Sequence, residues 1–535
     1  MPACRDRSGR DASRASRPPS QGLTNFKIAA RIAETILVAI SASTPWRVTR
    51  PRFATAARSL VFVGLLGAAP VLPHLSTNWL EFPGVSNFWT SVAFAALVLV
   101  PVLDWRALRQ PVARDLIALL FFLVAFGCAR PWISWPVLLI YPPLLYLLVS
   151  MVTVARGRPP RVTPAPLRLL VPRSWLVIAI AVLCAVHVSW ALSSKAGTDI
   201  GLGSVAGARN ITHGRAVYGK HGSIGEPLLH EADLHTDTYG PVNYEAYIPF
   251  ASLTSTRMAQ RLTTLFFALL TAVLLFVVGR RIRGTTTGVL LAYLWLAFPF
   301  TLYDEGLSLN DTVVAAAFVG TLIVAASPAR RGLMAALTAW TKLSPLALVP
   351  LLASHHGARA GTSRRRCLEF LGAFALATVC VFLPVLGHSS PATFVSRTFG
   401  FQLTRSPGES GWALGAYARV APWIAEAVRA GHGLIIAFAG GFGVALLRAR
   451  RRQDAIGLAA SCAAVLIAIE ICMGYFSFSY ILWFAPLVLV AVIGEGVCNS
   501  ANESPADGNK RATEPRLRRR WTGPLAWSGA RHIVR

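Results

Sequence analysis

Residues 195–250 read KAGTDIGLGSVAGARNITHGRAVYGKHGSIGEPLLHEADLHTDTYGPVNYEAYIPF, the longest strongly polar stretch in an otherwise apolar chain. An apolar run, 174–192, leads straight into it, and another, 262–279, follows. Each run has roughly the 20-residue length that crosses the hydrocarbon core of a bilayer. A polar segment of this size between two spans is too long for a plain connector, and such segments tend to carry function. It gathers Asp199, Glu226, Glu231, Asp233, Asp237 and Glu245 with Lys195, Arg209, Arg215 and Lys220.

Working outward, apolar runs of spanning length recur along the whole chain. Of 535 residues, 54% are hydrophobic and 14% charged, where a soluble protein carries about a quarter charged residues. The fold expected is an all-α polytopic membrane bundle of about twelve spans. They are placed at 59–75, 88–104, 116–134, 136–155, 174–192, 260–279, 285–303, 311–327, 367–387, 431–447, 455–473 and 480–497. The stretch 332–353 is different, because Trp340-Thr341-Lys342-Leu343-Ser344-Pro345 sits at its middle. A charge and a helix breaker at membrane depth are tolerated where the chain breaks and turns back. A crossing there would also move Arg359–Arg366 outside and invert every later basic block. Read as a re-entrant helix pair, it leaves the blocks at 106–114, 156–173, 280–283, 330–331 and 359–366 on the cytoplasmic side, as the positive-inside rule requires. The expected organisation is a basic disordered tail at 1–55, additional N-terminal spans at 56–173, a membrane core at 174–498 and a second basic tail at 499–535. Both tails are expected inside the plasma (inner) membrane, with the long polar loop after the fifth span facing out.

The net charge of +28 would suggest nucleic acid in a soluble protein. Here the cations lie between apolar runs, so topology accounts for them and no nucleic-acid partner is expected; membrane lipids are. The eight cysteines show no paired spacing, which indicates neither a zinc site nor a disulfide framework. Gly201-x-Gly203-x-x-x-Gly207 lacks the strand and spacing of a dinucleotide loop.

Candidate chemistry collects at a few positions. Asp199 stands just beyond the outer end of the fifth span. A carboxylate at the edge of a membrane-facing cavity can take the proton of a sugar hydroxyl; a solvated acid near a helix end is the simpler reading. Asp237-Thr238-Tyr239-Gly240-Pro241 begins a compact turn, followed by Asn243, Tyr244, Glu245, Tyr247 and Phe250. Rings beside Asn243 and Glu245 suit a carbohydrate, although interfacial anchoring explains the tyrosines equally well. Asp311 opens a helix, where an acid caps the end and complements its dipole. An unpaired Lys342 at membrane depth would cost roughly 3 kcal/mol, so an acid or a lipid phosphate is expected beside it. Arg405 is suited either to a lipid-linked phosphate or to the headgroup boundary. Glu470, inside a span, reads equally as a cavity residue and as a helix–helix hydrogen bond.

Four ordered blocks across roughly 175–495 carry a resemblance. They are Thr198-Asp199-Ile200-Gly201 through Tyr218-Gly219 and on to Asp237–Tyr244; Asn310-Asp311; Ala339–Leu346; and Gly400–Pro407 with Tyr480–Pro486. Together they resemble glycosyltransferase family 87, of the polyprenyl-phosphate-dependent membrane glycosyltransferases in the GT-C superfamily. The resemblance implies a GT-C-like helical bundle, with the spans of 56–173 as an addition. It implies transfer of a hexose, with mannose the one expected, from a polyprenyl-phosphate donor to an extracytoplasmic glycolipid or glycan acceptor, with inversion. Asp199 would be the catalytic base and Asp237 the second candidate. Lys342 and Arg405 would meet the carrier phosphate, and Tyr239, Asn243 and Gln402 the sugar or acceptor hydroxyls. Beyond the donor no cofactor is expected, and a divalent metal is left unassigned. The alternatives from other classes are a transporter or flippase of lipid-linked sugars, and a non-catalytic membrane assembly factor.

Overall fold

The structure, a computed structural model, describes residues 53–70, 85–103, 110–128, 135–157, 169–194, 197–219, 237–355, 363–404, 423, 441–443, 445–446, 452–472 and 476–495. Nearly all of the first basic tail, the whole second tail, Arg405 and most of the span expected at 431–447 lie outside these residues. The described residues are helical, with no strand. The N-terminal helices are α1 (Phe53–Ala68), α2 (Val85–Leu99), α3 (Pro111–Cys128) and α4 (Tyr141–Ala155). After them come α5 (Arg173–Ser193), α6 (Asp199–Thr212), the short α7 (Pro241–Glu245) and α8 (Ile248–Ala251), then α9 (Thr256–Arg283), α10 (Thr285–Leu296) and α11 (Pro299–Leu307). The chain continues through α12 (Asp311–Ile323), α13 (Pro328–Ala339), α14 (Val349–Ala353), α15 (Ser363–Leu386), α16 (Pro391–Val395) and α17 (Phe401–Thr404). It closes with α18 (Ala455–Cys472) and α19 (Ile481–Glu495).

Among the described residues six helices are long and apolar enough to cross a membrane, or seven if the bent pair α10–α11 counts as one span. This fits a multi-pass membrane protein, and several of the twelve spans read from hydropathy fall partly or mostly outside the described residues. Within the described residues, two of the expected spans take another form. Apolar length in the sequence does not reveal where a helix stops. The run at 285–303 breaks at Phe298-Pro299 and bends by 48°. The run at 311–327 yields only the 13-residue α12, about 20 Å long at 1.5 Å per residue, against a hydrocarbon core of about 30 Å.

α19 is apolar on every side and buried along its length, as a helix without a polar face must be. It packs against α3, α9, α10, α12 and α18. The N-terminal spans join this body, with α4 along α18 and α3 against α19. Phe126 of α3 meets Phe300, Tyr303 and Phe478 edge-on.

The stretch around Lys342 turns back on itself. α13 ends at Ala339, residues 340–343 break the helix, and a 3-10 turn (Ser344–Leu348) runs into α14. Arg331 ties the two limbs together at their open ends. Its guanidinium donates to the carbonyls of Leu352 (2.8 Å), His355 (2.8 Å) and Ala325. Arg331 is only 1% exposed, so it closes the hairpin from within the fold. Arg331→Met removes charge-assisted bonds to three buried carbonyls. It is expected to cost about 2 kcal/mol in chemical unfolding of the detergent-solubilised protein, whereas the exposed neighbour Arg330→Met should be neutral.

The long polar segment is not a loop throughout. It holds α6, whose N-terminus is capped by Thr198 accepting from the Gly201 amide at 3.3 Å. Gly201 and Gly207 form a packing surface on α6. A Cβ on Gly201 would lie 2.7 Å from the Ser308 carbonyl oxygen, and one on Gly207 would lie 2.3 Å from the ring of Tyr244.

Candidate functional site

Three separated stretches meet beside the break at 340–343. α6 supplies Ser204, whose hydroxyl accepts from Asn243 Nδ2 at 2.9 Å. Asn243 Oδ1 in turn accepts from Asn310 Nδ2 at 2.7 Å. All three side chains are buried, and the Asn243 amide is held at both ends by protein groups. Asn310 precedes Asp311, the first residue of α12. The entry to α12 is fastened from behind by α9, where Thr264 donates to the Leu309 carbonyl at 2.7 Å and accepts, through its own carbonyl, from Thr312 Oγ1 at 3.2 Å. The turn before it places Ser308 in the left-handed region, φ 55°. That sharp reversal lets Leu309 N bond the Asp304 carbonyl at 3.0 Å.

The turn 237–244 is seated directly on the break. The Val242 amide donates to the Trp340 carbonyl at 3.1 Å. Tyr239 is fixed by its own backbone: its carbonyl accepts from Tyr218 Oη at 2.8 Å, and its amide donates to Tyr244 Oη at 3.3 Å. The Tyr239 ring thereby lies 5.5 Å from Lys342 Nζ.

Lys342 is the centre of the arrangement. Its ammonium is paired with Asp311 Oδ1, and Trp483 Nε1 donates to the same oxygen at 2.5 Å. The rings of Tyr480 and Trp483, stacked at 4.3 Å, stand 5.2 and 5.0 Å from the ammonium. Three aromatic faces around a cation supply cation–π attraction where water is scarce. Lys342 is 6% exposed and Asp311 1%. The acid expected as compensation for Lys342 is therefore Asp311. Further acceptors lie buried in the same region. Asp311 Oδ2, Asp304 Oδ1, Asn310 Oδ1 and both oxygens of Glu470 have no hydrogen-bond partner among the described residues. Buried acceptors without a donor are few in native proteins and mark places where something else binds or strain is held.

The remaining candidates are spread around this centre. Asp199 is half-buried in the first turn of α6, where its Oδ1 accepts from the Ile200 amide at 2.9 Å. It sits at the N-terminal end of the helix that carries Ser204, about one and a half turns away. Asp237 lies apart, gripped by Arg397, whose Nε bonds Oδ1 and Oδ2 at 2.9 and 2.8 Å and whose Nη2 bonds Oδ1 at 2.5 Å. The Gly219 amide adds a bond to Asp237 Oδ2 at 2.9 Å. Hydrogen bonds to the Asp237 carboxylate hold the Arg397 guanidinium above its ordinary range. Asp237 thus clasps residue 219, its own turn and the π-turn Ser396–Gly400. Gln402 follows that turn, half-buried on α17. Glu245 ends α7, and burial pushes its carboxyl up to about 7.

Sequence reasoning did not find Asp304, Arg397 or the pair His187–Glu305. His187 sits between Glu305 Oε2 (2.7 Å) and the Leu296 carbonyl (2.8 Å), fastening α5 to the α10–α11 bend. Asp304-Glu305 close an apolar run, which is the one signal that could have flagged them. Among the described residues no group of three or more His, Cys, Asp and Glu is placed to hold a metal ion.

The family model for glycosyltransferase family 87 matches residues 238–473. That region takes in the 237–244 turn from Thr238 onward, Asn310-Asp311, Lys342 and Glu470, and it begins past Asp199 and the N-terminal helices. No curated protein and no solved structure matches the chain.

Proposed function

We propose that the chain, whose residues 238–473 match the model of glycosyltransferase family 87 and whose apolar helices fit a multi-pass membrane protein, is a membrane glycosyltransferase that moves a hexose, mannose first, from polyprenyl phosphate to a glycolipid or glycan acceptor outside the plasma membrane. The observation that carries this reading is the caged Lys342. It is a cation at the break of a re-entrant hairpin, ringed by aromatics, where a lipid-borne phosphate can approach from the membrane. Asp199 takes the proton of the acceptor hydroxyl. The freed oxygen attacks the anomeric carbon, the glycosidic C–O bond breaks, and polyprenyl phosphate departs with its charge met by Lys342 and Arg405. One displacement of this kind inverts the anomeric centre. Tyr239, Gln402 and Glu245 line the approach for sugar hydroxyls, and Asn243 supports them from within the fold. Both tails lie in the cytoplasm on this reading.

The test is transfer of radiolabelled mannose from polyprenyl-phosphate mannose in membranes, wild type beside Asp199→Asn. Asparagine keeps size and polarity and cannot take the proton, so a loss of at least about a hundredfold is expected. Equal transfer by both proteins would remove Asp199 as base. A transporter of lipid-linked sugars gains one observation, the bent pair α10–α11 beside the re-entrant hairpin, since transporters bind their cargo at interrupted helices. Translocation of a lipid-linked sugar across proteoliposomes, with no new glycosidic bond, would favour that reading.

A further inference from the structure

Resting on the phosphate-carrier reading above, we propose that Asp311 is the resting counter-ion of Lys342 and is exchanged for the phosphate of the carrier lipid when it binds. Asp311 is on this account a positioning residue that sets when Lys342 becomes available.

The geometry supports an exchange over a permanent pair. An ammonium has three N–H donors. Lys342 gives one to Asp311, and among the described residues no other acceptor is bonded to it; its other sides face the rings of Tyr239, Tyr480 and Trp483. Asp311 uses a single oxygen for both Lys342 and Trp483, while Oδ2 has no donor among the described residues. A pair built only for stability would use both carboxylate oxygens, because each unbonded buried acceptor carries a desolvation cost. Tyr239 and Tyr480 are half-buried while Trp483 is buried. The cage is therefore most open where its two tyrosines border it, Tyr480 being stacked on the indole that holds Asp311. An arriving phosphate finds two ammonium donors on that side, and the Trp483 N–H stays behind to stabilise the carboxylate that Lys342 leaves.

Exchange makes a signed prediction that a purely structural pair does not. Lys342 held by Asp311 is competent for phosphate only in the fraction of molecules where the pair is open, and the apparent affinity is reduced by that fraction. Asp311→Asn removes the competitor, so it should tighten binding of undecaprenyl phosphate to the detergent-solubilised full chain about tenfold. Trp483→Phe takes the indole donor from the Asp311 carboxylate and leaves Lys342 as its partner. It should weaken binding about threefold, a change of opposite sign. Binding of uncharged undecaprenol should be the same in all three proteins. The Asp311→Asn/Lys342→Met double variant should lose the gain, which shows that the freed lysine produced it.

Titration calorimetry with these two lipids reads the result. Tightening in Asp311→Asn with weakening in Trp483→Phe supports the exchange. Unchanged or weaker phosphate binding in a folded Asp311→Asn overturns it, and so does unchanged or tighter binding in Trp483→Phe, which decides the matter if Asp311→Asn does not fold. If wild type binds undecaprenyl phosphate no better than undecaprenol, the carrier reading itself falls, and the exchange with it.

Discussion

Lys342→Met is expected to abolish sugar transfer and to lower the unfolding free energy by about 3–5 kcal/mol, the scale for breaking one side of a buried ion pair. The substitution leaves the Asp311 carboxylate 1% exposed, with Trp483 Nε1 as its one remaining side-chain donor among the described residues. Methionine fills nearly the same volume, so the loss reports charge and not a cavity. The pair has a further property that separates its two roles. Replacing both partners with neutral groups removes the stranded charge, and such double replacements are often close to neutral for stability. Lys342→Met/Asp311→Asn should therefore recover most of the unfolding free energy and none of the transfer. Urea unfolding of the detergent-solubilised protein, read beside mannose transfer in membranes, checks both. If the double variant is as unstable as the single, Lys342 acts through packing and the electrostatic account fails.

How far this centre was legible in the sequence depends on the type of signal. Lys342 stood out because a cation and a proline in an apolar run conflict with a simple span, and the hairpin closed by Arg331 agrees with that inference in its geometry. The stretches at 237–244, 310–311, 339–346 and 480–486 were singled out separately, and folding brings all of them to one place. Their partnerships were not readable. Asp311 passed for a helix cap because capping needs only local position, while its bonds to Lys342 and Trp483 span 31 and 172 residues of chain. Asp237 looked like a reserve base because a carboxylate near aromatics fits either role. Its partner Arg397 lies 160 residues away, beyond any local pattern. The expected spans at 285–303 and 311–327 are a related case: hydropathy measures apolar length, and the bend at Phe298-Pro299 and the early end of α12 depend on what those residues pack against.

The contact that seats the 237–244 turn on the break at 340–343 gives the second large effect. A Cβ on Gly240 would lie 2.0 Å from the Trp340 carbonyl oxygen, 2.5 Å from its carbon and 2.9 Å from its Cα. Backbone strain is not the issue, since Gly240 has φ −70°, which any residue adopts. The obstruction is backbone on both sides, so no side-chain rotation relieves it. Gly240→Ala must lift the 237–244 turn off the break, and with it the Val242 N–H bond to the Trp340 carbonyl and the Tyr239 ring above Lys342. Overpacking of this kind costs about 1–3 kcal/mol, and a displacement of about 1 Å at a reacting site costs about a hundredfold in rate. Transfer should fall by that factor or more while the protein still folds. Gly372→Ala supplies the control. Its Cβ meets nothing within 4 Å on α15, and alanine is the better helix former, so both stability and transfer should hold or rise slightly. Equal activity in the two variants would mean that the turn can move away from Lys342 without consequence. The aromatic cage would then have no part in holding the donor.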